Sequence, residues 1–311
     1  MLKKEQLFKT IADEWLTFVK NNSKYSTYVK YRTVYNKYMD KRLGLYNMKV
    51  ITEDYFQTEI IKLFDDENVS DSLHKSIYCV FNQIMSYGRR YYHLPYIKLS
   101  CKKRKKNIRH IEILNKSEQA NLIKQLYADM NSDKLGIVIC LSTGLRLGEI
   151  CALRWDDIDL KEKLIHVNRT VQRIAVDGCD TRTRLLESEP KSEFSKREIP
   201  ISDSLVKLIS AYYHNGEYVI RCSGPMEPRT YQNHFHKYLK YAGVEQKNFH
   251  ILRHTFATNC IDNGADIKCL SEILGHSDVN ITLNRYVHPS LETKRKQMDL
   301  LFSVYSNYLI K

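Results

Sequence analysis

Proline and glycine are scarce in this 311-residue chain, six and eleven in all, and no proline precedes Pro95. Both residues interrupt regular elements, so a first part broken only by Gly44 and Gly88 reads as helical rather than as turn-rich sheet. Long apolar runs are also missing. The longest, around Leu135–Leu141, falls far short of the ~20 residues that span a bilayer. The opening stretch carries charges throughout and has no apolar signal core, so no membrane association is expected. None of the eight cysteines, at 79, 101, 140, 151, 179, 222, 260 and 269, approaches C-x-x-C spacing with another. That excludes a zinc ribbon or a disulfide framework and points to a reduced, cytoplasmic compartment. Nor is there a Walker-type G-x-x-x-x-G-K-[ST] or a carboxylate cluster suited to Mg²⁺, so neither a nucleotide nor a metal cofactor is expected.

What is abundant is positive charge. Lys and Arg number 49 against 36 Asp and Glu, a formal net charge of +13, which calls for a polyanionic partner. The excess is uneven. Residues 1–110 hold 22 basic and 11 acidic side chains, whereas the remaining 201 hold 27 and 25. Lys102, Lys103, Arg104, Lys105, Lys106 and Arg109 supply six of the 22. This run reads as an interdomain linker over 101–112; a solvated hinge, a localisation signal and a phosphate-tracking strip are all compatible with it.

Before the linker, Ile11, Trp15, Phe18 and Val19 recur at helical spacing, as do Tyr28, Tyr31, Tyr35 and Tyr38. A third helix is expected over Leu73–Tyr87, with the tyrosine stripe more often core than stacking platform. After the linker, Asn115 or Ser117 caps a helix start, and 118–142 read as two helices. Leu164–Val176 and Arg197–Ile201 read as strands, and the polar residues 177–196 between them as a long connection. Helical periodicity returns from Tyr231.

Three stretches carry chemistry. In Thr143-Gly144-Leu145-Arg146-Leu147-Gly148-Glu149, Arg146 and Glu149 share a helical face. An arginine among leucines and glycines needs an anion, either that glutamate or an oxyanion ligand. In Phe249-His250-Ile251-Leu252-Arg253-His254-Thr255-Phe256, Leu252 and Phe256 mark the core side while His250 and Arg253 point together elsewhere. His250 and His254 have metal-ligand spacing, but Ile251 stands where a zinc protease has Glu, and a donor pair aimed at phosphate is the better chemistry. In Leu274-Gly275-His276-Ser277, Gly275 suits a helix C-cap, with Arg285-Tyr286-Val287-His288 following.

Taken in order, TGLRLGEICALRW, HILRHTFAT, ILGHSD and RYVH resemble the signature boxes of the tyrosine recombinase (phage integrase) family. The resemblance covers 113 to about 290 strongly, and it gives meaning to Pro190–Pro200: in the family this is a β-turn carrying a catalytic lysine, matched by Lys191 and more weakly by Lys196. It implies a mainly α fold with a small antiparallel β-sheet. A helical core-binding domain would span 1–100, and a mixed α+β catalytic domain 113–311. The implied activity is site-specific recombination of double-stranded DNA through a covalent 3′-phosphotyrosine, as the integrase of a mobile element. A Xer-like resolvase, a type IB topoisomerase and a non-catalytic DNA-binding protein on the same fold are the alternatives.

The resemblance assigns the nucleophile to Tyr286, charge stabilisation to Arg146, Arg253 and His276, and a base or phosphate-ligand role to His250. Lys191 becomes the general acid and Glu149 a support for the first arginine. It further implies a homotetramer on DNA, with room for an accessory directionality factor. Leu291–Ile310 is expected to be a helix, docked on its own domain or donated to a neighbour. No arm-binding domain is expected before Ile11.

Overall fold

A computed structural model describes residues 7–49, 52–55, 57–59, 62, 70–95, 97–99, 111–176, 179–190 and 193–286, together with 295, 298, 299, 302 and 305. The chain divides into two compact units, one of residues 1–108 with 174–183 and the other of 109–173 with 184–311.

In the first unit the helices are α1 (Phe8–Asn22), α2 (Tyr25–Tyr38), α3 (Asp40–Leu43) and α4 (Asp71–Tyr92). Their apolar stripes close on one core of Phe8, Ile11, Trp15, Tyr35, Ile77, Phe81 and Ile84. Phe8 stacks on Phe81 at 5.8 Å and Trp15 on Tyr31 at 5.5 Å, so the tyrosine stripe is a packing face, as expected. The Tyr35 hydroxyl donates to Asp40 Oδ1 (2.9 Å) at the start of α3, which satisfies its one buried polar atom. Helix α4 runs longer than the expected Leu73–Tyr87, because Ser70 caps it early and His93, in the left-handed region, ends it late.

The second unit holds α5 (Lys116–Tyr127), α6 (Ser132–Thr143), α7 (Leu147–Cys151), α8 (Asp203–Ala211), α9 (Pro228–Tyr241), α10 (Ile251–Asp262), α11 (Ile267–Leu274) and α12 (Val279–Tyr286). Its strands are β1 (Ile158–Asp159), β2 (Leu164–Val167), β3 (Thr170–Val176), β4 (Cys179–Ser188) and β5 (Arg197–Pro200). Asn115, not Ser117, caps α5: its side chain accepts from Glu118 N (2.9 Å) while Glu118 accepts from Asn115 N (2.8 Å). Strands β1, β2 and β5 form an antiparallel sheet in that spatial order, with Ile165 opposite both Ile158 and Ile199. The architecture is therefore mainly α with small sheets.

Two expectations about strands need correction. Leu164–Val176 is two strands rather than one, broken at 168–169. Asp157, almost fully buried, draws both residues there aside: Arg169 donates to both of its oxygens (2.8 and 2.7 Å) and Asn168 to one (3.0 Å). The 177–196 connection contains β4, paired with β3. Its charged and hydroxyl side chains read as loop, but a strand with little buried surface needs only its backbone partners.

Helix α6 is buried on most of its faces, through Leu135, Ile137, Val138, Ile139 and Cys140. Beside it, α9 inserts Tyr231 and Phe235 against Phe249, at 5.3 and 5.2 Å between ring centroids. This aromatic trio fixes the backbone immediately before His250. Among the described residues no helix is long and apolar enough to cross a membrane. Of Leu291–Ile310 only Arg295, Met298, Asp299, Phe302 and Tyr305 are described, helical and exposed; Leu301 and Val304 lie outside the described residues.

Truncating the trio tests this packing. Phe235→Ala should lower unfolding free energy by about 3–5 kcal/mol, seen as a reduced urea midpoint at unchanged slope. A loss below ~1 kcal/mol would show that Phe235 does not anchor this core.

Candidate active site

The site begins at two helix ends. Helix α6 stops at Gly144, whose φ of 69° suits glycine; a Cβ there would stand 2.6 Å from Phe256 Cδ1 and 2.9 Å from Leu274 Cδ2. Helix α11 stops likewise at Gly275 (φ 63°), the expected cap, where a Cβ would press on Arg197 and on Phe194 O at 3.0 Å. These tight stops leave carbonyls of 144, 274 and 275 facing inward without helical partners, and arginines fill that role.

Arg253, 1% exposed on α10, donates through Nη1 to Gly144 O (2.9 Å) and through Nη2 to Leu274 O (2.6 Å). Arg146, the N-cap of α7, donates to Gly275 O (3.1 Å) and to Glu149 Oε1 (2.7 Å). Its backbone N–H also donates to Glu149 Oε2 (2.9 Å), so the two residues predicted to share a face do meet.

Arg197 was not foreseen. From β5 it donates through Nη1 and Nη2 to both Glu149 oxygens (3.1 and 3.0 Å), and through Nε to Ile273 O (2.5 Å). Burial works to raise the Glu149 pKa. Arg197 and then Arg146 overrule it and hold the carboxyl down to about 2. One carboxylate thus serves two guanidinium groups. Arg253 has no carboxylate within ion-pair distance among the described residues, and both burial and Arg146 work against its charge. A positive charge is therefore held in a nearly dry site without an acidic partner, which is the environment an anionic ligand completes.

Three histidines line this charge. Arg253 Nη2 lies 2.8 Å from His276 Nε2, so that nitrogen accepts. Nδ1 then carries the ring hydrogen and donates to Thr282 Oγ1 (2.8 Å), a buried hydroxyl that sequence reasoning passed over. Burial, then Arg253 and Arg146, push the His276 pKa down to about 3. His250 sits at the N-terminus of α10, its ring edge-on to His254 at 4.6 Å; burial, then His254 and Arg253, lower it to about 4. His254 lies at 2.7 Å from the Tyr286 hydroxyl through Nδ1. The phenol is largely buried at the end of α12, and burial raises its pKa although Arg253 and Arg285 oppose that shift.

The structure thus brings together Arg146, Glu149, His250, Arg253, His276 and Tyr286, from three helices and the loop after α11. Lys191 and the basic run Lys102, Lys103, Arg104, Lys105, Lys106 and Arg109 lie outside the described residues. Lys196 is described and exposed. Of the additions, Arg197 had a legible signal: it shares the buried face of β5 with Ile199, and a cation there needs an anion.

The sequence model of the phage integrase family matches residues 112–293, and that of the phage integrase N-terminal SAM-like domain matches 7–64. A XerC-like tyrosine recombinase of Caldanaerobacter subterraneus subsp. tengcongensis is 26% identical, over 94% of this chain and 81% of the relative. The transposase of transposon Tn916 from Enterococcus faecalis is 26% identical over 61% of this chain and 51% of its own length. Among solved structures, the Tn1549 transposon integrase in complex with a circular intermediate DNA superposes at a TM-score of 0.73, with 19% identity over 94% of this chain and 99% of that one. A lambda integrase tetramer bound to a Holliday junction gives 0.62, with 16% identity over 91% and 79%. These two likenesses speak to the fold alone. The family match spans more than half of the chain and contains every residue gathered at the site, so this chain belongs to the phage integrase family.

Proposed function

We propose that this protein is a tyrosine site-specific recombinase, the integrase of a mobile element, which cuts and rejoins duplex DNA without ATP or a metal. The observation that carries the reading is the buried, carboxylate-free Arg253 beside Arg146, with the Tyr286 phenol within the same cluster. A phosphodiester resists nucleophiles because it is anionic, and the charge growing on its non-bridging oxygens must be neutralised. Arg146 and Arg253 supply that compensation, and their guanidinium forks match phosphate oxygens. Glu149 and Arg197 keep Arg146 in place.

Tyr286 attacks phosphorus and the 5′ oxygen departs, leaving a 3′-phosphotyrosyl bond that a second 5′ hydroxyl can reverse. Lys191, assigned from its position in Pro190–Pro200, protonates the leaving oxygen. His250 guides the phosphate. His276, whose Nε2 accepts from Arg253 in the free protein, becomes a donor to phosphate when that arginine turns to the ligand and the Thr282 hydroxyl turns to donate to Nδ1. The helical unit and the basic run 102–109 hold the duplex by its phosphates, in the cytoplasm. Strand exchange joins two duplexes, each carrying two protomers, which makes the working assembly a homotetramer on DNA.

Incubating the protein with a nicked duplex bearing its site should yield a protein–DNA adduct on a denaturing gel, with EDTA present. Tyr286→Phe should bind the DNA normally and give none. An adduct formed by that variant would move the nucleophile elsewhere.

Lys191→Ala should slow cleavage by roughly 100-fold when the leaving atom is oxygen, and far less when it is a bridging sulfur, which leaves without protonation. Equal slowing of both would remove Lys191 from the general-acid role.

The neutral histidines also set a pH dependence. The unfolded chain takes up protons as pH falls through the ordinary histidine value of 6.5, while folded His250, His254 and His276 wait until about 4, 4 and 3. Between those limits the unfolded state binds more protons, so stability rises with pH. Urea midpoints should therefore fall from about pH 7 to about pH 5, and His276→Asn should flatten that limb. A flat wild-type profile would contradict the neutral assignment.

A further inference from the structure

One half-buried titratable group at the site has no part in the roles above. His254 lies one turn beyond His250 on α10, and it is His254, not His250, whose ring nitrogen meets the Tyr286 hydroxyl, Nδ1 to Oη at 2.7 Å. His250 packs its ring edge-on against His254 instead. The charged and titratable groups facing His254 are His250 and Arg253 from its own helix, and Arg285 and Tyr286 from α12. Burial, then Arg285 and Arg253, keep the imidazole neutral, with its pKa down to about 4. Burial keeps the phenol protonated. With Nε2 carrying the ring hydrogen, the phenol O–H donates to the Nδ1 lone pair, and the proton already points along the path it must take.

We propose that His254 is the proton acceptor for the Tyr286 nucleophile, aiming the phenol and removing its proton as the bond to phosphorus forms. The inference rests on Tyr286 being the nucleophile. In the forward step the Oη–H bond breaks, the proton goes to Nδ1, Oη bonds to phosphorus, and the P–O5′ bond breaks with its electron pair staying on O5′, which takes a proton from Lys191. On rejoining, the incoming 5′ hydroxyl attacks phosphorus and gives its proton to Lys191, left neutral by the forward step, while the P–Oη bond breaks and the His254 imidazolium returns its proton to the departing phenolate. An in-line displacement calls for the nucleophile's proton acceptor and the leaving group's proton donor on opposite sides of phosphorus. The arginines that surround the new imidazolium also make its proton easy to return.

The test compares His254→Ala and His254→Asn in single-turnover cleavage of a nicked duplex, each with the native tyrosine and with a fluorinated tyrosine at 286 acidic enough to ionise near neutral pH. Asparagine places an acceptor near the Nδ1 position but cannot hold a proton, so it separates aiming from proton transfer and guards against a folding defect in the alanine variant. His254→Asn should slow the native tyrosine by roughly 100-fold, with DNA affinity unchanged. The same substitution should cost little once the nucleophile is already ionised. Native-tyrosine cleavage unaffected by His254→Asn, or slowed equally with both nucleophiles, would overturn the proposal. Failure of the parent reading has a different signature, since wild type would then form no adduct at all.

Discussion

Everything at the site depends on Glu149, one buried carboxylate that two arginines share. It fixes Arg146 through the side chain and the backbone N–H of the same residue, and it clamps Arg197 of β5 in a two-pronged pair. Arg197 in turn holds the end of α11 through Ile273 O, beside the stop at Gly275 that puts His276 in place. A single anion therefore joins α7, β5 and α11. Taking charges out of water is costly, and removing one partner of such a group typically costs about 3–5 kcal/mol, because the other partners are left buried and unmatched. The arrangement makes sense only if the site must keep positive charge where water cannot screen it.

That constraint separates the arginines by function. Arg146 and Arg197 are compensated, and so can be rigid. Arg253 is held by carbonyl oxygens and by His276, which orient it without neutralising it. The uncompensated charge does two further things: it adds to burial in keeping the neighbouring histidines neutral, and it lowers the energy of a phenolate at Tyr286, even though burial holds that phenol protonated at rest. Under the proposed function, a phosphate arriving at the site would supply the missing anion and release His276 from its role as acceptor.

Much of this was legible from the sequence because it is local. Arg146 and Glu149 are three apart on one helical turn, as are His250 and Arg253, and Gly275 declares a helix end before His276. What was not legible is what the chain assembles over distance. Arg197 reaches Glu149 across 48 positions, and only its place on the buried face of β5 hinted at a partner. His254 was weighed against a metal because of its spacing from His250; its actual partner lies 32 positions on, in a different helix. Thr282, a buried hydroxyl in a polar helix, looks like surface until His276 Nδ1 is seen against it. In the fold, the division of Leu164–Val176 came from Asp157, a buried acid that pulls Asn168 and Arg169 out of the strand, and no strand propensity records that.

The central claim is that this cluster directs a phosphodiester onto the Tyr286 hydroxyl. Digesting the protein–DNA adduct to peptides and nucleotides, and mapping the modified residue by mass spectrometry, tests it most directly. The account predicts a nucleotide joined through its 3′ phosphate to the peptide containing Tyr286. A nucleotide found on any other side chain, or joined through a 5′ phosphate, would contradict it.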